Sequence, residues 1–197
     1  MNIGIIGRAR SGKDTAGGWL VEQRGYQRVA LADPLKDAAW RVDPITHAGF
    51  FAEQRRLSDI IAGPGDWERA KETTPEVRRF LQELGAAIRS IDRDFWLRAA
   101  LTTADAANEA GRNVCITDVR YPNEADALRD RGWHLLYVDR PGIPHLDHES
   151  EGALAAEDAD YTIVNAGSVA VYLAAVELFH SRVLDAESAR HYGRAHA

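Results

Sequence analysis

The sequence predicts an α/β fold with a mostly parallel sheet and helices on both of its faces. Short apolar runs of strand length alternate along the chain with stretches of helical apolar spacing. Strands that alternate with helices form parallel sheets, because the crossover helices cover the faces of the sheet. Glycines such as Gly25 and Gly111 stand between segments and end the predicted helices.

The first half of the chain opens with a core strand, a glycine-containing loop and a helix. Gly25 follows this helix as a C-cap, and Asp33 and Pro34 predict the start of the next helix, as N-cap and first helical residue. Residues 43–74 show no pattern that assigns them to helix or strand. In order, the predicted elements are strand 2–6, helix 13–24, strand 26–31 and helix 34–42.

The second half repeats the alternation. Apolar residues recur at helical spacing from Val77 to Ile88, and the segment 140–151 is a loop rich in Pro, Gly and His. Residues from His191 onward are expected to fray. The predicted elements are helices 75–90 and 94–110, strand 114–117, helix 123–130, strands 133–138 and 161–164, and helix 168–190.

Composition limits the class of protein. At 197 residues the chain fits one domain, residues 1–197, with a full core. A net charge of −6 disfavours a polynucleotide substrate, since nucleic-acid binding needs a positive surface. No apolar run approaches the roughly 20 residues that span a bilayer. Cys115 is the single cysteine, which excludes an internal disulfide and suits a reducing cytoplasm.

A glycine-framed loop follows the first strand. Residues 7–15 read Gly-Arg-Ala-Arg-Ser-Gly-Lys-Asp-Thr. Two glycines allow a tight turn that aims several backbone N–H groups at one point, and the lysine adds a mobile positive charge. This loop predicts a cradle for a nucleotide polyphosphate. The candidate phosphate-binding residues are Gly7, Arg8, Arg10, Ser11, Gly12, Lys13, Asp14 and Thr15.

Asp14 departs from the common form of such loops, which has Ser or Thr after the lysine as a magnesium ligand. A carboxylate beside a triphosphate is repelled unless a cation lies between them. Asp14 is therefore a candidate magnesium ligand or a participant in the chemistry, and Thr15 supplies a hydroxyl. The alternative is that Asp14 is only a charge favoured at a helix N-terminus.

A second candidate group follows the buried strand 114–117. Because ligands of open α/β sheets lie at the carboxyl ends of the strands, Asp118 is a candidate for orienting magnesium and Arg120 for clamping a phosphate. Glu124 either holds that arginine or belongs to the first turn of a helix. Val119 stands where ATP-driven motors usually have a second acid, which favours transfer to a bound acceptor over transfer to water.

Asp118, Arg120 and Glu124 are also candidates for acceptor binding, and further candidates lie elsewhere in the chain. Asp33 and Lys36 follow the second strand, but Asp33 is also explained as a helix cap and Lys36 as a solvated side chain. Gln82 and Arg89 are seven residues apart and share one face of a helix. Trp96 is either a core residue or a platform on which a base stacks.

Several of these segments together resemble the bacteriophage-type deoxynucleoside monophosphate kinases. The resemblance implies the P-loop NTPase fold, a three-layer α/β/α arrangement with a mostly parallel sheet, similar to nucleoside monophosphate kinases and with small helical lid and substrate-binding segments. Residues 43–74 are expected to be a substrate-binding insertion, and the loop 140–151 is expected to be a lid with Arg140, His148 and Glu151. The segments that carry the likeness are 7–15, 30–36, 79–85 with Arg89 and Trp96, 117–125 and 148–151.

The resemblance implies transfer of the γ-phosphoryl group of ATP to a deoxynucleoside monophosphate, with magnesium, in the host cytoplasm if the protein is phage-encoded. A monophosphate acceptor is mostly a dianion at pH 7 and needs no general base, but it does need cations such as Lys13 and Arg120. The implied partners are small nucleotides, and the closing helix either pairs two copies in a homodimer or covers the sheet.

Two other functions remain open. One is a kinase for another small acceptor, similar to dephospho-coenzyme A kinase or animal-type phosphomevalonate kinase. A hydroxyl acceptor would need a general base, for which Asp33 is the candidate. The other is a nucleotide-binding ATPase or switch without a small acceptor.

Overall fold

The computed structural model describes residues 1–47, 54–61, 63, 66–144 and 152–195. It divides into two compact units: the sheet unit, residues 1–30 and 101–197, and the helical unit, residues 31–100. The expectation of a single domain stays a prediction. Among the described residues, no helix is both long and apolar enough to cross a bilayer.

The described elements alternate between strands and helices, as expected for an α/β fold. In chain order they are β1 (Ile3–Ile6), α1 (Lys13–Arg24), β2 (Gln27–Val29), α2 (Asp33–Val42), β3 (Ile45–His47), β4 (Gln54–Arg56), α3 (Leu57–Ile60), α4 (Trp67–Thr73), α5 (Pro75–Ile91), α6 (Phe95–Glu109), β5 (Val114–Val119), α7 (Pro122–Asp130), β6 (His134–Asp139), a 3₁₀ turn (Ala156–Asp158), β7 (Tyr161–Val164) and α8 (Val169–Ala195).

The sheet unit is built on five parallel strands in the order β2-β5-β1-β6-β7. One face packs against α1 and α8, where Ile5, Leu20 and Val176 share one buried cluster. The other face carries α7, and a Cβ atom at Gly4 would lie 2.9 Å from Leu128 of that helix. Helices on both faces of a parallel sheet confirm the predicted fold class.

The same cluster encloses the single cysteine. Cys115 is fully buried, and burial raises the pKa of its thiol to about 11. Since the thiolate is the nucleophilic form, this cysteine is a packing residue.

Strand β5 is longer than predicted and contains an irregularity at its carboxyl end. Its pairing with β1 steps from Gly4 to Ile6 on one strand but from Ile116 to Val119 on the other, so β5 carries one extra residue. In a regular strand, residues 117 and 119 would point to the same face of the sheet. Because of the extra residue, Thr117 lies beside Gly17 of α1, whereas Val119 lies beside Gly4 on the opposite face. The expectation that the strand ends before Asp118 is wrong, because pairing with Ile6 extends the ladder.

The helical unit has a core of its own. Leu57, Trp67 and Val77 belong to one buried cluster, and β3 pairs antiparallel with β4. These short elements fill much of the segment 43–74. Elements of three to seven residues are too short to show a hydrophobic period, and for that reason the sequence did not predict them.

Helices α2 and α8 have boundaries that differ from the expectation. Helix α2 begins at Asp33 itself, its N-cap is Ala32, and no side chain caps it. Asp33 is thus a first-turn residue rather than the cap. Helix α8 continues to Ala195, beyond the predicted end near residue 190. Within this helix, the carboxylate of Glu187 lies 2.8 Å from Nε2 of the buried His134 on β6, which ties α8 to the sheet.

Candidate phosphate-binding site

The loop between β1 and α1 has a backbone that only particular residues can adopt. Gly7, Arg10 and Gly12 have φ angles of +146°, +64° and +112°. A Cβ atom at Gly7 would lie 2.6 Å from the carbonyl oxygen of Val138 and 2.8 Å from Oγ of Ser11. Glycine is required at position 7 both by its backbone conformation and by the close approach of β6, the strand beside β1 in the sheet.

Lys13 lies against this loop rather than in open solvent. Its side chain is mostly buried, and Nζ donates hydrogen bonds to the carbonyl oxygens of Gly7 and Arg8, each at 2.6 Å. A cation held at the first turn of the loop, beside the N-terminus of α1, creates a positive potential at the place where a phosphate would bind.

Arg140, a predicted lid residue, contacts the loop directly. Its guanidinium donates a hydrogen bond to the carbonyl oxygen of Arg10 at 3.2 Å, and its own carbonyl oxygen accepts one from Arg8 at 3.3 Å. Arg140 therefore supports the loop at Arg10, its non-glycine residue with a positive φ angle. The other two predicted lid residues, His148 and Glu151, lie outside the described residues, and the lid stays a prediction.

Two side chains that the sequence analysis did not single out also hold the loop. Nδ2 of Asn165 donates to the carbonyl oxygen of Ser11 at 2.8 Å, and the hydroxyl of Tyr172 donates to that of Gly12 at 2.9 Å. Both residues are more than 150 positions away in sequence. No local motif marks them, so only the folded chain reveals their role.

A cleft beside the loop brings two arginines to one place. Arg8 and Arg120 both line it, together with Val119, Gly152 and Leu154. Arg8 comes from the loop and Arg120 follows β5, so the sheet edge joins two of the predicted phosphate ligands. Two arginines that line one cleft favour an anionic ligand, because a guanidinium group offers several N–H donors to phosphate oxygens.

Glu124 holds the backbone at the start of α7. It is buried, and Oε2 accepts hydrogen bonds from the backbone N–H of Arg120 at 2.8 Å and of Tyr121 at 3.0 Å. This carboxylate fixes the turn from which the exposed Arg120 side chain projects. The predicted role of Glu124 in acceptor binding stays a prediction.

Oxygen ligands suitable for magnesium lie on two elements of the sheet unit. Asp14 and Thr15 are exposed in the first turn of α1, and Asp118 is half-buried on β5. Among the described residues, no three His, Cys, Asp or Glu side chains gather into a metal cluster. Magnesium needs no such cluster, since it is commonly held by one or two carboxylates together with substrate phosphates and water. The donor set therefore fits magnesium.

The other predicted acceptor ligands belong to the helical unit. The ammonium of Lys36 lies 3.9 Å from the carboxylate of Asp33. Gln82 is exposed on α5, and Arg89 is half-buried and donates to the carbonyl oxygen of Arg93 at 3.4 Å. Their roles in acceptor binding stay predictions.

Trp96 is buried at the start of α6, also in the helical unit. Its indole N–H donates to the carbonyl oxygen of Gly85 at 3.2 Å. This contact gives the side chain a core position, one of the two alternatives left open by the sequence, and base stacking stays a prediction.

Comparison with known proteins gives consistent results. A family model for deoxynucleotide monophosphate kinase matches residues 65–175. A mimivirus protein (Acanthamoeba polyphaga mimivirus) named "Putative deoxynucleotide monophosphate kinase" is 29% identical over 203 residues, 92% of this chain and 93% of that protein. The deoxynucleotide monophosphate kinase of Enterobacteria phage T4 is 35% identical over 124 residues, 60% of this chain and 48% of the phage protein.

Among solved structures, a dephospho-CoA kinase from Campylobacter jejuni superimposes with a TM-score of 0.51 at 8% identity. The match covers 94% of this chain and 98% of that one. At this level of identity, the likeness shows the fold alone.

Proposed function

This chain belongs to the deoxynucleotide monophosphate kinase family, and on that premise we propose that it transfers the γ-phosphoryl group of ATP to a deoxynucleoside monophosphate. The products are ADP and the deoxynucleoside diphosphate. The observation that carries the proposal is the loop before α1, with its positive φ angles and with Lys13 bound to its carbonyls. This combination binds polyphosphates because the backbone N–H groups and the ammonium act on one anion.

The donor nucleotide lies with its β- and γ-phosphates on the loop and on the N-terminus of α1. Lys13 exchanges its contacts with the carbonyls of Gly7 and Arg8 for contacts with phosphate oxygens. The gain is electrostatic, since an ammonium group interacts more strongly with an anionic phosphate than with neutral carbonyl groups. Arg10, Asp14 and Thr15 complete the donor site in this proposal.

The acceptor phosphate approaches from the cleft lined by Arg8 and Arg120. An oxygen of the dianionic acceptor attacks the γ-phosphorus while the bond to the β–γ bridging oxygen breaks, and ADP leaves with that electron pair. No proton has to be removed from a phosphate dianion. The protein's task is to let two anions meet in line, which the two guanidinium groups support by offsetting their repulsion.

Asp14, Thr15 and Asp118 are the residues proposed to hold magnesium. When bound, the ion neutralises phosphate charge and orients the β- and γ-phosphates. We also propose acceptor-binding roles for Asp33, Lys36, Gln82, Arg89 and Trp96.

A substrate screen tests the proposal. The purified chain is incubated with ATP, magnesium and each of the four common deoxynucleoside monophosphates or their ribose counterparts, and ADP release is followed with a coupled assay. We expect acceptor-dependent ADP release with at least one deoxynucleotide. ADP release that needs no acceptor, or no release with any of the deoxynucleotides, would refute the proposed reaction.

A further inference from the structure

Two side chains from the end of the sheet unit grip successive carbonyls of the phosphate loop. Asn165 follows β7 and donates to the carbonyl oxygen of Ser11, and Tyr172 in the first turn of α8 donates to that of Gly12. The two distances, 2.8 and 2.9 Å, are those of well-formed hydrogen bonds. The contacts join the loop to the last strand and the last helix of the chain.

These contacts control where the backbone N–H groups point. In a trans peptide, the carbonyl oxygen of one residue and the N–H of the next lie on opposite sides of one rigid plane. Holding the carbonyls of Ser11 and Gly12 therefore directs the N–H groups of Gly12 and Lys13 away from Asn165 and Tyr172. Those N–H groups open α1, at the end of a helix where anions bind.

Asn165 and Tyr172 are themselves held in place. The backbone N–H of Asn165 donates to the carbonyl oxygen of Asp139 on β6 at 2.7 Å, and that of Tyr172 donates to Ser168 at 3.0 Å. The ring of Tyr172 is buried in the cluster beneath α8, and burial raises the pKa of its hydroxyl, so the group stays protonated and able to donate.

The approach is close enough to require glycine in the loop. A Cβ atom at Gly12 would lie 2.6 Å from Nδ2 of Asn165 and 3.2 Å from the ring of Tyr172. Position 12 therefore requires glycine for two reasons: these two side chains leave no room for a Cβ atom, and its φ is +112°.

We infer that Asn165 and Tyr172 are positioning residues that keep the phosphate loop in its nucleotide-binding form. The inference rests on the proposed function in one respect, that the loop holds the polyphosphate of ATP or ADP. Because the N–H groups contact the donor before and during transfer, their loss weakens ground-state and transition-state binding alike. Such a loss raises KM for ATP and leaves kcat nearly unchanged.

The size of the effect follows from the partners that remain. In Tyr172→Phe, the carbonyl of Gly12 still accepts the N–H of Ala16 at 3.0 Å, so no buried acceptor is left without a donor. The loss is that of one net hydrogen bond. Without this bond the free loop relaxes, and nucleotide binding has to restore its conformation at a cost of up to the energy of that bond, which corresponds to up to roughly 10-fold in affinity for ADP and in KM for ATP.

Tyr26→Phe is a matched control. Tyr26 is buried in the same cluster as Tyr172, but its hydroxyl has no hydrogen-bond partner among the described residues. The experiment measures the dissociation constant for ADP by titration calorimetry, KM and kcat for ATP, and the melting temperature. We expect Tyr172→Phe and Asn165→Ala to weaken ADP binding and raise KM, with kcat within about 2-fold, and Tyr26→Phe to leave all three constants unchanged.

Three outcomes would overturn the inference: unchanged ADP affinity in both loop-gripping variants, a fall in kcat alone, or an equal loss in Tyr26→Phe. If one variant fails to fold, the other decides. ADP titration needs no acceptor, so its result is separate from the proposed reaction. If the wild-type chain phosphorylates no deoxynucleotide but the variants bind ADP more weakly than it does, the proposed function is refuted and the inference is supported. If the wild-type chain does not bind ADP at all, both are refuted.

Discussion

Replacing Gly17 with alanine would test how closely α1 lies against the end of β5. An alanine Cβ at this position would lie 2.3 Å from the Cγ2 methyl of Thr117. Both residues are buried, and the methyl belongs to a β-branched side chain that cannot rotate away freely. The next residue in the helix, Gly18, has no atom within 4 Å of the equivalent position and is the matched control.

The two substitutions share one favourable effect and differ in one cost. Alanine in place of glycine inside a helix stabilises by about 1 kcal/mol, because the unfolded chain loses freedom. For Gly17→Ala, the overlap with Thr117 costs about 1–3 kcal/mol. We therefore expect Gly18→Ala to raise the free energy of unfolding by about 1 kcal/mol, and Gly17→Ala to be less stable than Gly18→Ala by about 1–3 kcal/mol.

Urea unfolding followed by circular dichroism measures both changes, with thermal melting as a second probe. For a chain of this length, 1 kcal/mol corresponds to about 2–4 °C. Thr117→Ser removes the overlapping methyl, so in the Gly17→Ala background it should recover part of the loss. Equal stability of the two alanine variants, or no recovery with Thr117→Ser, would refute the close approach of α1 to β5.

Four further predictions concern the candidate site and the closing helix. Lys13→Met should lower turnover by roughly 10²- to 10³-fold while the melting curve stays cooperative, since it removes the ammonium beside the loop. Arg120→Ala should lower turnover by roughly 10²-fold. Asp33→Asn should leave the acidic limb of the pH–rate profile unchanged, because a phosphate acceptor needs no general base. The hydrogen bond from His134 lowers the pKa of Glu187 from its ordinary 4.5, so Glu187 stabilises the fold above about pH 4.5, and this contribution is lost as pH falls. Glu187→Gln should flatten that part of the stability–pH curve.

Each of these four has an outcome that contradicts it. Loss of cooperative melting in Lys13→Met would make the residue structural, and unchanged kinetics in Arg120→Ala would remove it from the site. A vanished acidic limb in Asp33→Asn would favour a hydroxyl acceptor. An unaltered stability–pH curve in Glu187→Gln would show that the contact with His134 contributes nothing on the acid side.

Much of the phosphate loop was predictable because its signals are local. A glycine is needed wherever the backbone enters the left-handed region, and both Gly7 and Gly12 do so. Helix α1 begins and ends as predicted, since Gly25 closes it with a φ of +69°. One expectation about the loop changed: Lys13, predicted to be a mobile charge, is buried against two carbonyls, and this follows only from the folded loop.

Contacts between distant segments decided the rest. The end of β5 depends on pairing with β1, which carries the strand through Asp118 to Val119. The contacts of Asn165 and Tyr172 with the loop need β7 to pair with β6, the neighbour of β1, and α8 to pack against the same sheet, which no local pattern encodes.

The sequence by itself determined the order of strands and helices outside residues 43–74, the glycine-framed loop and its lysine, because backbone conformation and hydrophobic period are properties of neighbouring residues. Only the tertiary structure decided which side chains hold that loop and which arginines share its cleft. Those pairings join residues that are more than a hundred positions apart, and only the packing of the sheet and its helices brings them together.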